Sequence, residues 1–251
     1  MLVSIIIITL NEIDYIRETI QRARLAAQSS SGKNYPIEII VSDGGSTDGT
    51  QQIVKDIADK VIYGPKGRYL QLNSAVKYAK GDILLFLHAD TYLPDGAIIR
   101  ILSRIKDPNI LGGGFKKFWN WDPSMKRSPF LKFASQIWQV IGNWLVRLFK
   151  IFPGDNAIFT RRTVFEKLNG FKSFAICEDL DFSNRLKNLG KDRVALIQSS
   201  VITSTRRYKK YGFFYTNFVW FLIFWLWRFG LSPERLEKQY RKYMPLKFKI
   251  E

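Results

Sequence analysis

Three continuous apolar runs constrain this chain more than any other feature. Residues 2–9, 37–41 and 83–87 are short, rich in β-branched and aliphatic side chains, and do not alternate with polar residues. Runs of that kind form strands buried on both faces, as in parallel sheets covered by helices. Each is followed by polar turn residues and then by apolar residues at helical spacing. Ile13, Ile16 and Ile20 follow the first run; Ile53, Val54 and Ile57 the second; Ile98, Ile101, Leu102 and Ile105 the third. A shorter strand over 61–63 leads into a helix that begins at Arg68, carries Leu72, Val76 and Ala79, and ends at Gly81. This alternation predicts an α/β fold with right-handed crossovers. In such sheets ligands bind beyond the carboxyl ends of the strands. The residues there are Thr9-Leu10-Asn11-Glu12, Ser42-Asp43-Gly44-Gly45-Ser46-Thr47-Asp48 and His88-Ala89-Asp90.

Helix starts are assigned from capping chemistry: Asn11 for the first helix, Ser46 or Thr47 for the second, Asp95 for the one after Asp90. Residues 28–34 read as a loop. The second half changes character. A strand over 111–118 contains three successive glycines, and an apolar, basic helix over 130–152 carries Trp138 and Trp144. Phe152-Pro153-Gly154-Asp155-Asn156 breaks it. A short strand over 157–160 and a helix over 161–168 follow. Glu178-Asp179-Leu180-Asp181 opens another helix, where acidic residues also suit the helix dipole. A strand-rich stretch over 194–204 leads to Arg206-Arg207-Tyr208.

Composition narrows the partners. Of 251 residues, 46% are hydrophobic, which excludes general disorder. The net charge of +17 points to anionic partners: nucleotide phosphates, an anionic membrane surface or nucleic acid. The single cysteine, Cys177, excludes an intramolecular disulfide and fits a reducing compartment. No basic segment precedes the first apolar run, so no secretory signal is read at the start. Residues 213–227 are intensely aromatic, with Trp220, Trp225 and Trp227, but include Asn217 and are flanked by Arg206, Arg207, Lys209, Lys210 and Arg228. That run falls short of the roughly 20 apolar residues a membrane span needs. Aromatic and basic residues together suit a membrane interface, and 130–152 has the same character through Lys132, Arg147 and Lys150. The alternative is that the two helices bury against each other or across a homodimer.

Taken in order, Thr9-Leu10-Asn11-Glu12, Asp43 to Asp48, His88-Ala89-Asp90 and Glu178-Asp179 resemble the family 2 glycosyltransferases of GT-A fold. Each motif alone is weak; four in sequence are strong. A closer resemblance is to a bacterial subgroup associated with arsenosugar biosynthesis. It rests on Gly67-Arg68 with Gln71 and Asn73, on 85–91, on Gly154-Asp155-Asn156-Ala157 and on Ser204-Thr205-Arg206-Arg207-Tyr208. The resemblance runs from about residue 2 to residue 240.

It implies a GT-A nucleotide-diphospho-sugar transferase fold, a mostly parallel sheet flanked by helices. The domain covers 1–208, with a donor half over 1–108 and an acceptor half over 109–208. An aromatic, basic helical tail over 209–251 is appended. The implied reaction is inverting, metal-dependent transfer from a nucleotide-diphospho-sugar to a hydroxyl by single displacement. Thr9, Asn11, Glu12, Asp43 and Gly44 are the implied donor contacts of the first two loops, with Glu12 and Asp43 accepting from the nucleoside. Arg68 suits a phosphate and Gln71 accompanies it. His88, Ala89 and Asp90 complete the donor site, Asp90 holding Mg²⁺ or Mn²⁺. His88 replaces an acid common among relatives; it either ligates the metal or positions the loop, and the oxygen preference of Mg²⁺ favours positioning. Asp179 is the implied base, with Glu178 beside it. Gly154, Asp155, Asn156, Arg206 and Arg207 are assigned to the acceptor or the leaving diphosphate.

Two alternatives stand beside this reading. One is transfer to a polyprenyl phosphate at the membrane, where no base is needed. The other is a non-enzymatic basic module that binds membrane or nucleic acid. Sugar-phosphate nucleotidyltransferases need a Gly-rich, Arg-containing loop after the first strand, which 9–12 is not. The expectation is a cytoplasmic protein, peripheral on the inner face of the cell membrane, with a small-molecule or lipid acceptor and no specific nucleic acid.

Overall fold

A computed structural model describes residues 1–28, 32–121, 124–125 and 127–245. The loop expected over 28–34 and the end of the tail therefore lie partly outside the described residues. The apolar runs form β1 (Val3–Thr9), β2 (Ile37–Asp43) and β4 (Ile83–His88), with β3 (Lys60–Tyr63) outside β2. All pair in parallel, β1 lying between β2 and β4. The register sets Thr9 opposite Asp43 and Ile8 opposite His88, so the three polar loops leave the sheet at one level.

Side chains alternate across this sheet. Val3, Ile5, Ile7, Ile39, Val41, Leu85 and Leu87 pack under α1 (Ile16–Leu25), α2 (Thr50–Ile57) and α4 (Ala97–Ile105). Ile6, Ile8, Ile40, Leu84 and Phe86 pack under α3 (Arg68–Val76), α6 (Arg162–Lys167) and α7 (Glu178–Asn188). Phe86, Phe165, Phe171 and Phe182 form an aromatic group on this second face, with Phe171 and Phe182 centroids 4.7 Å apart.

The remaining strands are β5 (Thr91–Tyr92), β6 (Gly112–Asn120), β7 (Phe159–Arg161) and β8 (Val194–Ser204). The order is β3-β2-β1-β4-β7-β6-β8-β5. β7 is antiparallel to both β4 and β6, and β5 is antiparallel to β8. The sheet is thus mixed, with four of its seven pairings among the described residues parallel. The chain reaches β7 through the turn at Gly154–Asn156, which lies beside the carboxyl end of β4, so β7 must run away from that end. The glycines of β6 have a steric reason. A Cβ on Gly113 would lie 1.9 Å from the Ala195 carbonyl oxygen, and one on Gly112 2.4 Å from that of Phe159.

Cap assignments moved. α1 begins at Ile16 rather than after Asn11, which adopts φ 56° and binds the neighbouring loop. α2 begins after Gly49, not at Ser46 or Thr47, and Gly96 rather than Asp95 precedes α4. In the first two cases the polar residues bond to one another or to a neighbouring loop, and α2 and α4 are each entered through a left-handed glycine. α5 (Pro129–Phe149) is capped by Ser128, whose Oγ accepts from the Leu131 N–H at 3.2 Å. α8 (Arg206–Tyr211), α9 (Phe213–Arg228) and α10 (Pro233–Tyr243) close the described chain. Val219 and Ile223 of α9, Leu236 and Tyr240 of α10, and Ile176, Cys177 and Leu180 form a third apolar cluster. No helix among the described residues is long and apolar enough to cross a membrane.

Candidate active site

The first two loops are locked to each other. Asp43 is fully buried, and its carboxylate accepts from the Gly45 and Ser46 amides at 2.9 and 2.8 Å, from Ser46 Oγ and from Gln51 Nε2 at 2.8 Å. Ser46 Oγ in turn accepts from the Asn11 N–H at 2.9 Å, and Asn11 Oδ1 accepts from the Thr47 N–H at 2.8 Å. Thr50 and Asp48 receive the Glu12 and Ile13 amides. Gln71 Nε2 donates to the carbonyls of Thr9 and Ser42 at 2.9 and 2.8 Å, clamping the ends of β1 and β2. Gly44 lies against it: a Cβ there would approach the Gln71 amide to 3.1 Å. The polar atoms of Asp43 and the amide nitrogen of Gln71 are therefore engaged within the protein and hold the two loops in shape.

Glu12 and Asp90 meet at the mouth of the sheet, and a residue 116 positions beyond Asp90 joins them. The Arg206 guanidinium forks onto the Glu12 carboxylate with both contacts at 2.5 Å, and its Nη2 lies 3.3 Å from Asp90 Oδ2. The plane of Arg206 also covers the Tyr15 ring at 5.4 Å. The placement is due to β5, whose Thr91 pairs with Thr203 of β8 and so draws Ser204-Thr205-Arg206 alongside Asp90. Burial raises the Glu12 pKa against the pull of Arg206. For Arg206, burial opposes the charge, but the Glu12 hydrogen bonds and Asp90 outweigh it and raise the pKa.

A second group forms where β4, the Gly154 turn and α7 converge. Asp179 Oδ2 accepts from the Gly154 N–H, and Oδ1 faces the Leu180 N–H at 2.7 Å. His88 stands across Gly154 from Asp179. A Cβ on Gly154 would lie 2.6 Å from His88 Nε2 and 3.0 Å from Asp179 Oδ2, so only glycine leaves both side chains in place. Burial holds the His88 pKa down, and the charge of Arg68 pushes the same way. Arg68 Nη1 is 3.3 Å from Glu178 Oε1, whose residue is fully buried. Burial raises the Glu178 carboxyl to about 7 against the pull of Arg68. Neither Glu178 oxygen has a hydrogen-bond partner among the described residues. Asp155 pairs with Lys117 Nζ at 2.9 Å; burial opposes its charge, but Lys117 and His88 outweigh burial and lower its pKa. Asn156 is buried and donates to the Phe115 carbonyl at 2.7 Å, a structural tie to β6.

Residues 4–168 match the family described as glycosyl transferase family 2. The chain belongs to that family. Among curated relatives, the probable glycosyltransferase YdaM of Bacillus subtilis is 28% identical over 207 residues, covering 75% of this chain and 47% of YdaM. Escherichia coli WfaP, a UDP-Glc:alpha-D-GlcNAc-diphosphoundecaprenol beta-1,3-glucosyltransferase, is 41% identical over 96 residues, 36% of each chain. This chain thus spans about half of YdaM and about a third of WfaP. Among solved structures, Staphylococcus aureus TarS 1-349 in complex with UDP-GlcNAc superposes with a TM-score of 0.60 at 18% identity, over 97% of this chain and 71% of that one. Mycobacterium tuberculosis glucosyl-3-phosphoglycerate synthase with Mn²⁺, UDP and glucosyl-3-phosphoglycerate gives 0.51 at 19% identity, over 80% and 70%. At these identities the superpositions establish the shared GT-A-like fold, with its mixed sheet and flanking helices.

Against that family frame, the sequence motifs divide in two. Asn11, Asp43, Gly44 and Gln71 build the loop scaffold, whereas Glu12, Asp90, Arg206, His88, Gly154 and Asp179 converge on shared ground. Lys117 was not read from the sequence; nothing in 111–118 singles it out, and only the β6 path brings it to Asp155. Among the described residues no three His, Cys, Asp or Glu side chains gather as a metal cage. Asp90 alone still fits a hard divalent cation, because Mg²⁺ and Mn²⁺ sites commonly take one or two carboxylates and complete their shell with water and substrate phosphate oxygens. His88, held neutral by burial, adds a nitrogen donor less suited to such a cation.

Proposed function

We propose that this family 2 member moves a sugar from a nucleoside-diphospho-sugar to an acceptor oxygen by single displacement, with inversion at the anomeric carbon. The observation that carries the reading is the pair of acid sites at one end of the sheet: Glu12 and Asp90 under Arg206, and Asp179 beside His88 and Gly154. The first suits a nucleotide diphosphate, since it combines carboxylates with a planar guanidinium that pairs with phosphate in the same forked way. When bound, a divalent cation on Asp90 supplies Lewis-acid stabilisation of the leaving diphosphate. Arg206 is the protein's own cation for that group, exchanging Glu12 and Asp90 for phosphate oxygens.

Asp179 is the proposed base. The acceptor O–H gives its proton to the carboxylate as the oxygen bonds to the anomeric carbon and the bond to the diphosphate breaks. The Gly154 amide fixes the orientation of that carboxylate. The domain reading is retained: a donor half over 1–108, an acceptor half over 109–208 and a helical tail beyond. UDP is the first nucleotide to test, given the UDP sugars named for the WfaP and TarS relatives. The arsenosugar-associated subgroup remains a reading of motifs 67–73, 85–91, 154–157 and 204–208. A polyprenyl phosphate acceptor is the second reading, favoured by the exposed aromatic helices α5 and α9; the name of WfaP gives a lipid-diphosphate-linked sugar, whose attacking oxygen is a hydroxyl.

Thermal unfolding with UDP, GDP and other nucleoside diphosphates, each with and without Mn²⁺ or Mg²⁺, tests the donor side. One nucleotide at a hundredfold excess over its Kd is expected to raise Tm by about 5 °C or more. Asp90→Ala is expected to remove the metal-dependent part of that shift. Asp179→Asn is expected to keep the shift and to lower transfer to a hydroxyl acceptor by about 10²–10⁴-fold. Unchanged transfer to the hydroxyl acceptor in Asp179→Asn, with donor binding intact, would assign the base to another residue; transfer to a lipid phosphate and not to a hydroxyl would favour an acceptor that is already ionised. No stabilisation by any nucleotide would favour a basic binding module instead.

A further inference from the structure

Helix α5 is built with its polar side inward. Ser135 is buried, Gln139 Oε1 accepts from the Trp119 N–H at 3.3 Å, and Asn143 brackets Lys117, accepting from its N–H at 2.9 Å and donating to its carbonyl at 3.0 Å. These amides close the edge of β6 beyond Gly113, where β7 stops pairing. The apolar stripe therefore faces out: Phe130, Phe133, Ile137, Val140, Trp144 and Leu148 are 40–68% exposed. Helix α9 adds Phe214, Phe218, Phe221 and Trp225 at 40–58%, while its other side packs on α10. Phe130 stacks on Phe214 with centroids 6.2 Å apart, so the two stripes join. The exposed apolar area is on the order of 1,000 Å², beyond the few hundred Å² usual for a monomer.

Charge selects what covers it. Residues 124–154 and 193–233 contain no Asp or Glu, whereas Lys132 and Arg147 lie in α5 with Lys150 just past its end, Lys209 and Lys210 lie in α8 just before α9, and Arg228 ends α9. A second copy, also at +17, would bring two basic rims together without neutralising them. An anionic bilayer neutralises the rims, accepts the aliphatic and phenyl groups, and suits Trp at headgroup depth. We propose that the outer faces of α5 and α9 are a docking surface that lays this protein on an anionic lipid bilayer.

Docking also bears on the acceptor, in a part that rests on the glycosyl-transfer reading. Phe214 touches Phe213 at 5.3 Å, and Phe213 touches Tyr208 at 5.2 Å, in the helix that carries Arg206 and Arg207. An aromatic path thus runs from the proposed bilayer face to the phosphate-binding arginines, which suits an acceptor whose polar head reaches the site while its chain stays in lipid.

Cosedimentation with phosphatidylglycerol–phosphatidylcholine vesicles, against phosphatidylcholine alone, tests the surface. The expected result is binding to the anionic vesicles, weakened at least about tenfold by high salt and by the Trp144→Glu/Phe218→Glu double variant. That variant is expected to keep the wild-type nucleotide-dependent Tm shift, which shows that fold and donor site are intact. No binding to anionic vesicles overturns the proposal even if nucleotides bind. A wild-type dimer in sedimentation velocity that the double variant dissolves also overturns it. Vesicle binding without any nucleotide response upholds the surface and defeats the glycosyl-transfer reading.

Discussion

Glu178 shows how little a motif says about the work of its residues. Its neighbour Asp179 meets the Gly154 amide and faces His88, but Glu178 points into the protein against Arg68. Burial lifts its carboxyl to about 7, above an unfolded value of 4.5. The folded state therefore holds this proton more tightly than the unfolded chain. The resulting stabilisation is fully present below about pH 4.5 and is lost as pH rises through about 7, amounting to about 3 kcal/mol. Urea unfolding at pH 5 and pH 8 is expected to show a steeper loss of stability in wild type than in Glu178→Gln; equal losses would place the titration elsewhere. The acidic pair at the start of α7 was legible in the sequence, because helix dipoles and catalysis both put carboxylates there. Which of the two faces the site was not, since successive helical residues point about 100° apart and only the packing of α7 fixes the rotation.

At the scale of elements, the strands and helices of the first half follow from periodicity, whereas the register of β1 with β2 and β4 does not, because apolar strands buried on both faces keep apolar contacts when slipped by one residue. The elements missed were those whose formation depends on partners. The two residues of β5 have no pattern of their own, yet their pairing with β8 carries Arg206 to Asp90. Helix α5 reads as apolar and basic in sequence, but the sequence does not reveal that Ser135, Gln139 and Asn143 turn inward to close a strand edge. The glycines of β6 gave a clearer signal: Gly113 leaves 1.9 Å between an added Cβ and the Ala195 oxygen, so β8 would have to move. Gly113→Ala is expected to destabilise the fold by about 3 kcal/mol or more in denaturant unfolding. A loss under about 1 kcal/mol would mean that β6 and β8 separate easily.

Across the whole molecule, the third apolar cluster joins the C-terminal helices to the site. Tyr240 of α10 is 1% exposed and packs on Trp220 of α9, and their cluster includes Cys177 and Leu180, on either side of Glu178 and Asp179. Tyr240→Ala is expected to cost about 3–5 kcal/mol of stability and, in the folded fraction, to lower transfer more than nucleotide binding. Selective loss of nucleotide binding would argue against this coupling. The sequence by itself determined the α/β core, the end of the sheet at which its loops emerge, the net basic charge and the four motifs that resemble the family. It could do so because burial periodicity and turn chemistry are local. Tertiary structure alone decided that Glu178 faces Arg68 while Asp179 meets Gly154, that Arg206 bridges Glu12 and Asp90, that β7 runs antiparallel to both its neighbours, and that two apolar helix faces remain outside. Those outcomes depend on contacts between residues far apart in the chain, where no local pattern records the partner.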